Sequence, residues 1–261
     1  MRTVLVAGAS SGLGKHTAAA FAALGWSVYG TSREVQPSTD GVKMLVLDVR
    51  DEAACRAVVE QVVAEAGGID VLVNNAGFGI AGPMELTTDV DVHAQLETNL
   101  FGAIRMVRAV LPVMRAAGGG RIVNVGSVAA TMPIPYQAMY SASKAALEVF
   151  SQAVGMEVAP FGVKCCCIEF GDMKTGFTAR RHKVSDGGPY AARYSKSVAR
   201  MEHDEQSAAE PVKAAQLVTK MALAKNPKPV VVCGADYKLL VALRRVLPLR
   251  ASNAILAKLY G

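Results

Sequence analysis

The chain has no run of roughly 18 uninterrupted apolar residues, so no segment reads as a helix that would cross a bilayer. It also lacks paired cysteines. Of the five, Cys55, Cys165, Cys166, Cys167 and Cys233, three are consecutive and none stands in a C-x-x-C spacing. An odd total in that arrangement argues against a disulfide framework and against a zinc site, so no metal is expected and a reducing cytoplasm is the expected compartment. Basic residues are not interleaved with aromatics and no nucleic-acid module is recognisable, so nucleic acid is not an expected partner. The opening Met1-Arg2-Thr3-Val4-Leu5-Val6-Ala7-Gly8 is too short for the apolar core of a signal peptide and leads directly into a glycine turn. Linkers, low-complexity runs and internal repeats are missing too, so residues 1–261 read as a single domain.

What is present is a chain of 261 residues, 51% hydrophobic and 19% charged, enough to bury one substantial core. Short apolar runs alternate with longer helical patterns. Thr3–Ala7, Ser27–Thr31, Lys43–Leu47, Val71–Asn74, Arg121–Val125, Val163–Ile168 and Val230–Cys233 read as seven strands. Several are nearly continuous in Val, Ile and Leu, as in parallel strands covered on both faces, and Cys165–Cys167 fit such a buried strand as small apolar groups. Helical patterns lie near 13–24, 51–66, 88–116, 138–159 and 208–224. The alternation predicts an α/β fold, a doubly wound parallel seven-stranded sheet with helices on both faces. Ligands of such sheets bind beyond the carboxyl ends of the strands. Residues 170–207 break the rhythm and read as an irregular substrate loop or lid.

Gly8-Ala9-Ser10-Ser11-Gly12-Leu13-Gly14 follows the first strand and opens the first helix. Its glycines allow a tight turn and close approach to a pyrophosphate, and the helix N-terminus offers free N–H groups. At the end of the second strand stand Thr31, Ser32 and Arg33, with no carboxylate for a ribose 2′-hydroxyl but a guanidinium for a 2′-phosphate. That predicts NADP(H); Glu34 is the residue that dissents. Asp48 and Val49 close the third strand, where they would meet the adenine edge. Tyr140 and Lys144 lie four apart on a helical pattern and share a face, so the ammonium would favour the phenolate and bring the tyrosine toward neutral pH, by about 1–3 units.

Together with Asn74-Asn75-Ala76-Gly77, Asn99 and Ser127, these residues resemble the short-chain dehydrogenase/reductase family over essentially the whole chain. The resemblance implies a Rossmann-type fold and an oxidoreductase that interconverts a carbonyl and an alcohol by hydride transfer. It implies that Tyr140 moves the hydroxyl proton, Ser127 holds the substrate oxygen, Lys144 lowers the Tyr140 pKa and binds the nicotinamide ribose, and Asn99 holds a helix distortion and a relay water. Cofactor contacts would come from Gly8, Ser10, Ser11, Gly12, Leu13, Gly14, Ser32, Arg33, Asp48, Val49, Asn75, Ala76, Gly77, Asn99, Tyr140, Lys144, Gly171, Met173 and Thr175.

There are departures from the family pattern. Ala7 stands where a threonine is usual, and Phe170-Gly171-Asp172-Met173 where Pro-Gly and small apolar residues are usual. An extension over about 234–261 follows the last strand, which puts the tetramer of fatty-acid-type ketoreductases in doubt and leaves a homodimer as the expectation. The subtype resembles hydroxysteroid and retinol dehydrogenases. Substrate contacts would then come from Ser127, Phe78, Met132, Ile134, Tyr136, Phe170 and Phe177, with Ile80, Pro133 and Tyr190 as further pocket candidates, against a lipophilic small molecule. The net charge of +6 gathers on Lys174, Arg180, Arg181 and Lys183 and on Arg244, Arg245, Arg250 and Lys258. The second group punctuates an apolar tail that would cover the domain, form a dimer contact or lie on an anionic membrane. Two alternatives stay open: a 3-oxoacyl thioester ketoreductase, with Arg180, Arg181 and Lys183 beside the entrance, and a non-catalytic NADPH-binding sensor.

Overall fold

Alternate residues of the first strand, β1 (Thr3–Ala7), point to opposite faces, and each face becomes a core. Leu5 and Ala7 join one apolar cluster, Val4 and Val6 the other, all four fully buried. In this computed structural model, which describes residues 1–39, 41–184 and 186–260, the remaining strands of the main sheet are β2 (Ser27–Ser32), β3 (Val42–Val46), β4 (Val71–Asn74), β5 (Gly120–Ser127), β6 (Val163–Phe170) and β7 (Val230–Val232). All neighbours pair in parallel, in the order β3-β2-β1-β4-β5-β6-β7. The order reverses between β1 and β4, so strand ends on either side of that point face one crevice.

One face is covered by α2 (Glu52–Ala66), α4 (Gly102–Ala116) and α5 (Ala138–Val158), which bury Val62, Met106, Met114 and Val154 against the sheet. The other is covered by α1 (Gly12–Ala23) and α7 (Val212–Leu223), through Phe21, Ala18, Val218 and Met221. Each large apolar side chain buried in this way contributes about 1.5–3 kcal/mol, so the two helix layers hold the sheet between them. Cys165, Cys166 and Cys167 lie buried in β6 as free thiols.

Three segments differ from the sequence expectation. The pattern over 88–116 is not one uniform helix: α3 (Asp89–Leu96) and α4 are joined by a π-helical turn at Glu97–Phe101. Residues 170–207 are not irregular throughout. Their second half is α6 (Ala191–Ser207), begun just after Gly187-Gly188-Pro189 and carrying Tyr194, Val198, Met201 and Glu205 inward at i, i+4, i+7 and i+11. Its high charge hid that stripe. The tail forms two further helices, α8 (Ala235–Val246) and α9 (Leu249–Tyr260), parted at Pro248, which forces Leu247 into extended backbone. Tyr260 packs α9 onto the apolar cluster of α6, and Arg244 ties the hairpin back by bonding Ser252 and the Thr131 carbonyl. Among the described residues no helix is long and apolar enough to cross a membrane.

Candidate active site

A continuous cleft of about 830 Å³ runs along the carboxyl ends of the strands, from Arg33 at one end to the C-terminal hairpin at the other. Its floor begins with the turn between β1 and α1. Gly8 adopts φ +78°, and a Cβ there would lie 2.8 Å from Ala76 Cα, so glycine is required on two counts. Asn75 Nδ2 donates to the Gly8 carbonyl at 2.6 Å, and the Gly8 N–H donates to Thr31 Oγ1 at 3.2 Å. Thr31 thus ties down the turn beside Ala7, which is fully buried and has no hydroxyl to offer. Gly14 lies behind the turn, where a Cβ would fall 2.0 Å from the Gly8 carbonyl oxygen. Ser10, Ser11, Gly12 and Leu13 face the cleft, with Thr175 beyond Gly12. The Ser11 side chain makes no capping bond, so the first N–H groups of α1 stay available to an anion, and Arg180 reaches the Ser11 hydroxyl from across the cleft.

At the far end stand Ser32, Arg33, Glu34, Asp48, Val49 and Arg50. Arg50, absent from the sequence expectation, grips Asp48 with Nη2 to Oδ2 at 2.6 Å and holds that carboxyl below its usual range. Its signal, a basic residue two positions past a strand-end aspartate, was readable but common. Asn75, Ala76 and Gly77 line the cleft behind β4, and Gly171 and Met173 do so behind β6.

Asn99 sits in the π turn, almost wholly buried. Its Oδ1 accepts from the Phe78 N–H and its Nδ2 donates to the Phe78 carbonyl, both at 3.0 Å. Gln95, one turn earlier, does the same work: it accepts from the Ile80 N–H and donates to the Phe78 carbonyl, both at 2.8 Å. The pair clamps the strand after Gly77; Gln95 carried no sequence signal. Ser127 ends β5 and Tyr140 lies in the first turn of α5, where the Ser127 side chain bonds the phenol and pulls its pKa down. Burial outweighs that pull and, with the charge of Glu205, raises Tyr140 to about 12. Burial also lowers Lys144 to about 8. The expectation that Lys144 lowers the tyrosine is not met here: the Lys144 ammonium donates to the Val125 carbonyl at 2.8 Å and lies 5.9 Å from the Tyr140 ring centre.

Beyond Tyr140 the cleft is walled by Phe78, Met132, Ile134, Phe170 and Phe177, with Phe177 edge-on to Tyr140 at 5.8 Å, and then by Met201, Leu240, Leu243, Leu247, Ile255, Leu256 and Leu259. The last six come from the C-terminal hairpin, which sequence reasoning had not placed in the pocket. Tyr136 does not line the cleft: at φ +63° it turns to meet Tyr194 edge to face, ring centres 5.5 Å apart. Ile80, Pro133 and Tyr190 are outside it as well; Tyr190 bonds Glu85 at 2.7 Å. Arg181 and Lys183 do not form a basic entrance. Arg181 is buried in an ion pair with Glu205, whose other oxygen takes the Thr178 hydroxyl, and Lys183 pairs with Glu202 at 2.9 Å.

The family pattern of the short chain dehydrogenases matches residues 2–185. A 3-ketodihydrosphingosine reductase of Bacteroides thetaiotaomicron is 43% identical over 227 residues, 86% of this chain and 84% of that enzyme. Human 17-beta-hydroxysteroid dehydrogenase type 1 is 36% identical over 190 residues, 67% of this chain and 57% of that enzyme. The crystal structure of a short-chain dehydrogenase from Streptomyces avermitilis superposes with a TM-score of 0.82 at 31% identity, over 99% of this chain and 97% of that one. The chain therefore belongs to the short-chain dehydrogenase/reductase family. It is an oxidoreductase of a nicotinamide cofactor that acts on a small-molecule substrate.

Proposed function

We propose that the protein is an NADPH-dependent reductase of a long-chain lipophilic ketone. The observation that carries this reading is the meeting of Ser127, Tyr140 and Lys144 where the cofactor half of the cleft opens into a wall of aliphatic side chains. The cleft residues fit the cofactor. The open N-terminus of α1, Arg180 beside Ser11, and the guanidinium of Arg33 at the end of β2 supply positive potential where a pyrophosphate and a 2′-phosphate would lie. Asp48, taken up by Arg50, is no longer a free carboxylate to compete with that phosphate. A bound nicotinamide supplies or accepts the hydride.

This chain's residues handle the proton and the oxygen. Ser127 bonds the carbonyl oxygen and stabilises the charge that grows on it. Tyr140, whose phenol burial holds above its ordinary value and so keeps protonated, gives its proton to that oxygen as the carbonyl carbon takes the hydride. Lys144, largely charged at neutral pH, faces the phenolate that is left. Asn99 and Gln95 fix the Phe78 segment along the edge of the site. The lipid reading draws on the aliphatic wall and on the ketosphingoid and steroid relatives. The thioester alternative loses the phosphate contacts expected of Arg181 and Lys183, which are held in ion pairs. Homodimerisation and contact with a membrane belong to the same reading, since Leu239, Val246 and Leu249 are exposed beside Arg245 and Arg250. Flotation with anionic vesicles and sedimentation of the full chain test those two points.

The test of the activity is NADPH oxidation with long-chain 3-ketones, steroid ketones, retinal and acyl thioesters, with NADH run in parallel. Turnover led by long-chain ketones with NADPH is the expected result. Preference for thioesters overturns the substrate reading, and equal use of NADH overturns the cofactor reading.

A further inference from the structure

The loop after β6 meets the glycine turn at two points, and the second brings an unneutralised charge. Thr175 comes down on Gly12, where a Cβ would lie 3.3 Å from the Thr175 Cβ. Further along, the Arg180 guanidinium folds back over Gly176. Its Nε donates to the Gly176 carbonyl at 3.1 Å, and its Nη2 donates to the Ser11 hydroxyl. A Cβ on Gly176 would fall 2.9 Å from Nη2, so glycine there leaves the guanidinium its path. Ser11 and Arg180 both line the cleft.

The basic neighbours of Arg180 in the loop are taken. Lys174 pairs with Glu210, Arg181 with Glu205 and Lys183 with Glu202. Arg180 bonds only neutral oxygens among the described residues, so its full charge and its remaining donors stand beside the open N-terminus of α1. The short turn that carries it also holds the other half of the site. Phe177 meets Tyr140 edge-on, and the Thr178 hydroxyl and the Arg181 guanidinium both bond Glu205 of α6. The His182 and Val184 N–H groups then tie the segment to the Gly79 and Ala81 carbonyls.

We propose that Arg180 is a cofactor-binding residue that straps this loop across the pyrophosphate, so that filling the cofactor half of the cleft fixes the turn 177–181 against Tyr140 and α6. Its role rests on the cofactor placement proposed above and ties that half of the cleft to the substrate side. A guanidinium can take two phosphate oxygens at once, in a fork that an ammonium lacks. The pyrophosphate is common to NADPH and NADH, so Arg180 acts on both alike, whereas Arg33 faces only the 2′-phosphate.

The experiment titrates the full chain with NADPH, NADH, 2′-phospho-ADP-ribose and adenosine 2′,5′-bisphosphate, the last of which has no pyrophosphate. The same ligands are titrated into Arg180→Ala and Arg180→Lys, and hydrogen exchange is followed over residues 176–184. Arg180→Ala should weaken the three pyrophosphate ligands by about tenfold or more, the scale of one charge-assisted hydrogen bond, and the bisphosphate by less than about twofold. Arg180→Lys should recover part of the loss. In the wild-type protein 2′-phospho-ADP-ribose should slow exchange of the Arg180, Arg181, His182 and Val184 amides by about tenfold, and Arg180→Ala should abolish that slowing. Unchanged NADPH affinity in Arg180→Ala, an equal loss for all four ligands, or slowing that survives the substitution overturns the proposal while the cofactor reading stands. Failure of the wild-type protein to bind either dinucleotide overturns both.

Discussion

The proposed cofactor end and the proposed substrate end of the cleft are built differently. At the cofactor end each wall segment lies directly behind a strand: Gly8–Leu13 after β1, Ser32–Glu34 after β2, Asp48–Arg50 after β3, Asn75–Gly77 after β4. Parallel register, with Ala7 beside Asn74 and Ser127 beside Phe170, lines those segments up as a consequence of forming the sheet. The substrate end depends on α6, α8 and α9, brought over Ser127 and Tyr140 by long-range contacts such as Arg244 to Thr131, 113 residues apart, and Asp172 to Tyr237, 65 apart. Its wall residues Leu240, Leu243, Ile255 and Leu259 remain substantially exposed, so this half rests on less buried surface. A site made this way can change its substrate by redocking one hairpin while the chemistry behind the strands stays as it is.

The sharpest way to divide the two ends is at Tyr140. Tyr140→Phe removes the proton donor and one edge of the ring contact with Phe177 survives, so kcat should fall by about 10³-fold or more while NADPH affinity, measured by fluorescence titration, changes little. Retained turnover would place the proton transfer elsewhere. Ending the chain after Leu247 tests the hairpin: without α9, kcat/KM for a long-chain ketone should drop by about 10–100-fold, the scale of several lost aliphatic contacts, with unaltered cofactor binding. Loss of cofactor binding as well would show that the ends are not separable. Arg33→Ala should weaken NADPH by about 1.5–3 kcal/mol and leave NADH nearly untouched; equal losses for both would remove the phosphate from that position.

A smaller effect concerns pH. Lys144 titrates at about 8 in the folded chain against an ordinary 10.5, so between those values the unfolded chain binds more protons than the folded one. The cost of burying the ammonium is complete below pH 8 and fades as pH rises toward 10.5. Lys144→Met, though inactive, should therefore be more stable than wild type at pH 7 by a few degrees in Tm, with the gap narrowing above pH 8. A gap that widens with pH would reverse the assignment.

The local geometry of the candidate site was legible in advance. Gly8 and Gly12 carry positive φ, Asn75 bonds the turn, and the spacing of Ser127, Tyr140 and Lys144 follows from one strand and one helix. The strands matched within two residues at each end because buried parallel strands are runs of Val, Ile and Leu. Arg181 was expected beside the entrance because a charged residue in a charged stretch is usually solvated, whereas its ion pair with Glu205 of α6 is buried. Tyr136 was misread as pocket because an aromatic near Tyr140 gives no sign of a positive φ that turns it to Tyr194. The tail was read as apolar and basic, but which of its faces would be covered was not readable.

The amino-acid sequence by itself determined the sheet, the glycine turn after β1 and the placement of Ser127, Tyr140 and Lys144, because each of these is set by interactions within a strand–turn–helix unit or between registered strands. Only the tertiary structure decided the shape of the substrate wall, the burial of Arg181 with Glu205, the high pKa of Tyr140 and the pairing of Asp172 with Tyr237. The reason is physical. Desolvation and the packing of one helix on another depend on which segments meet in space, and a local pattern of residues carries no record of a partner 65 positions away.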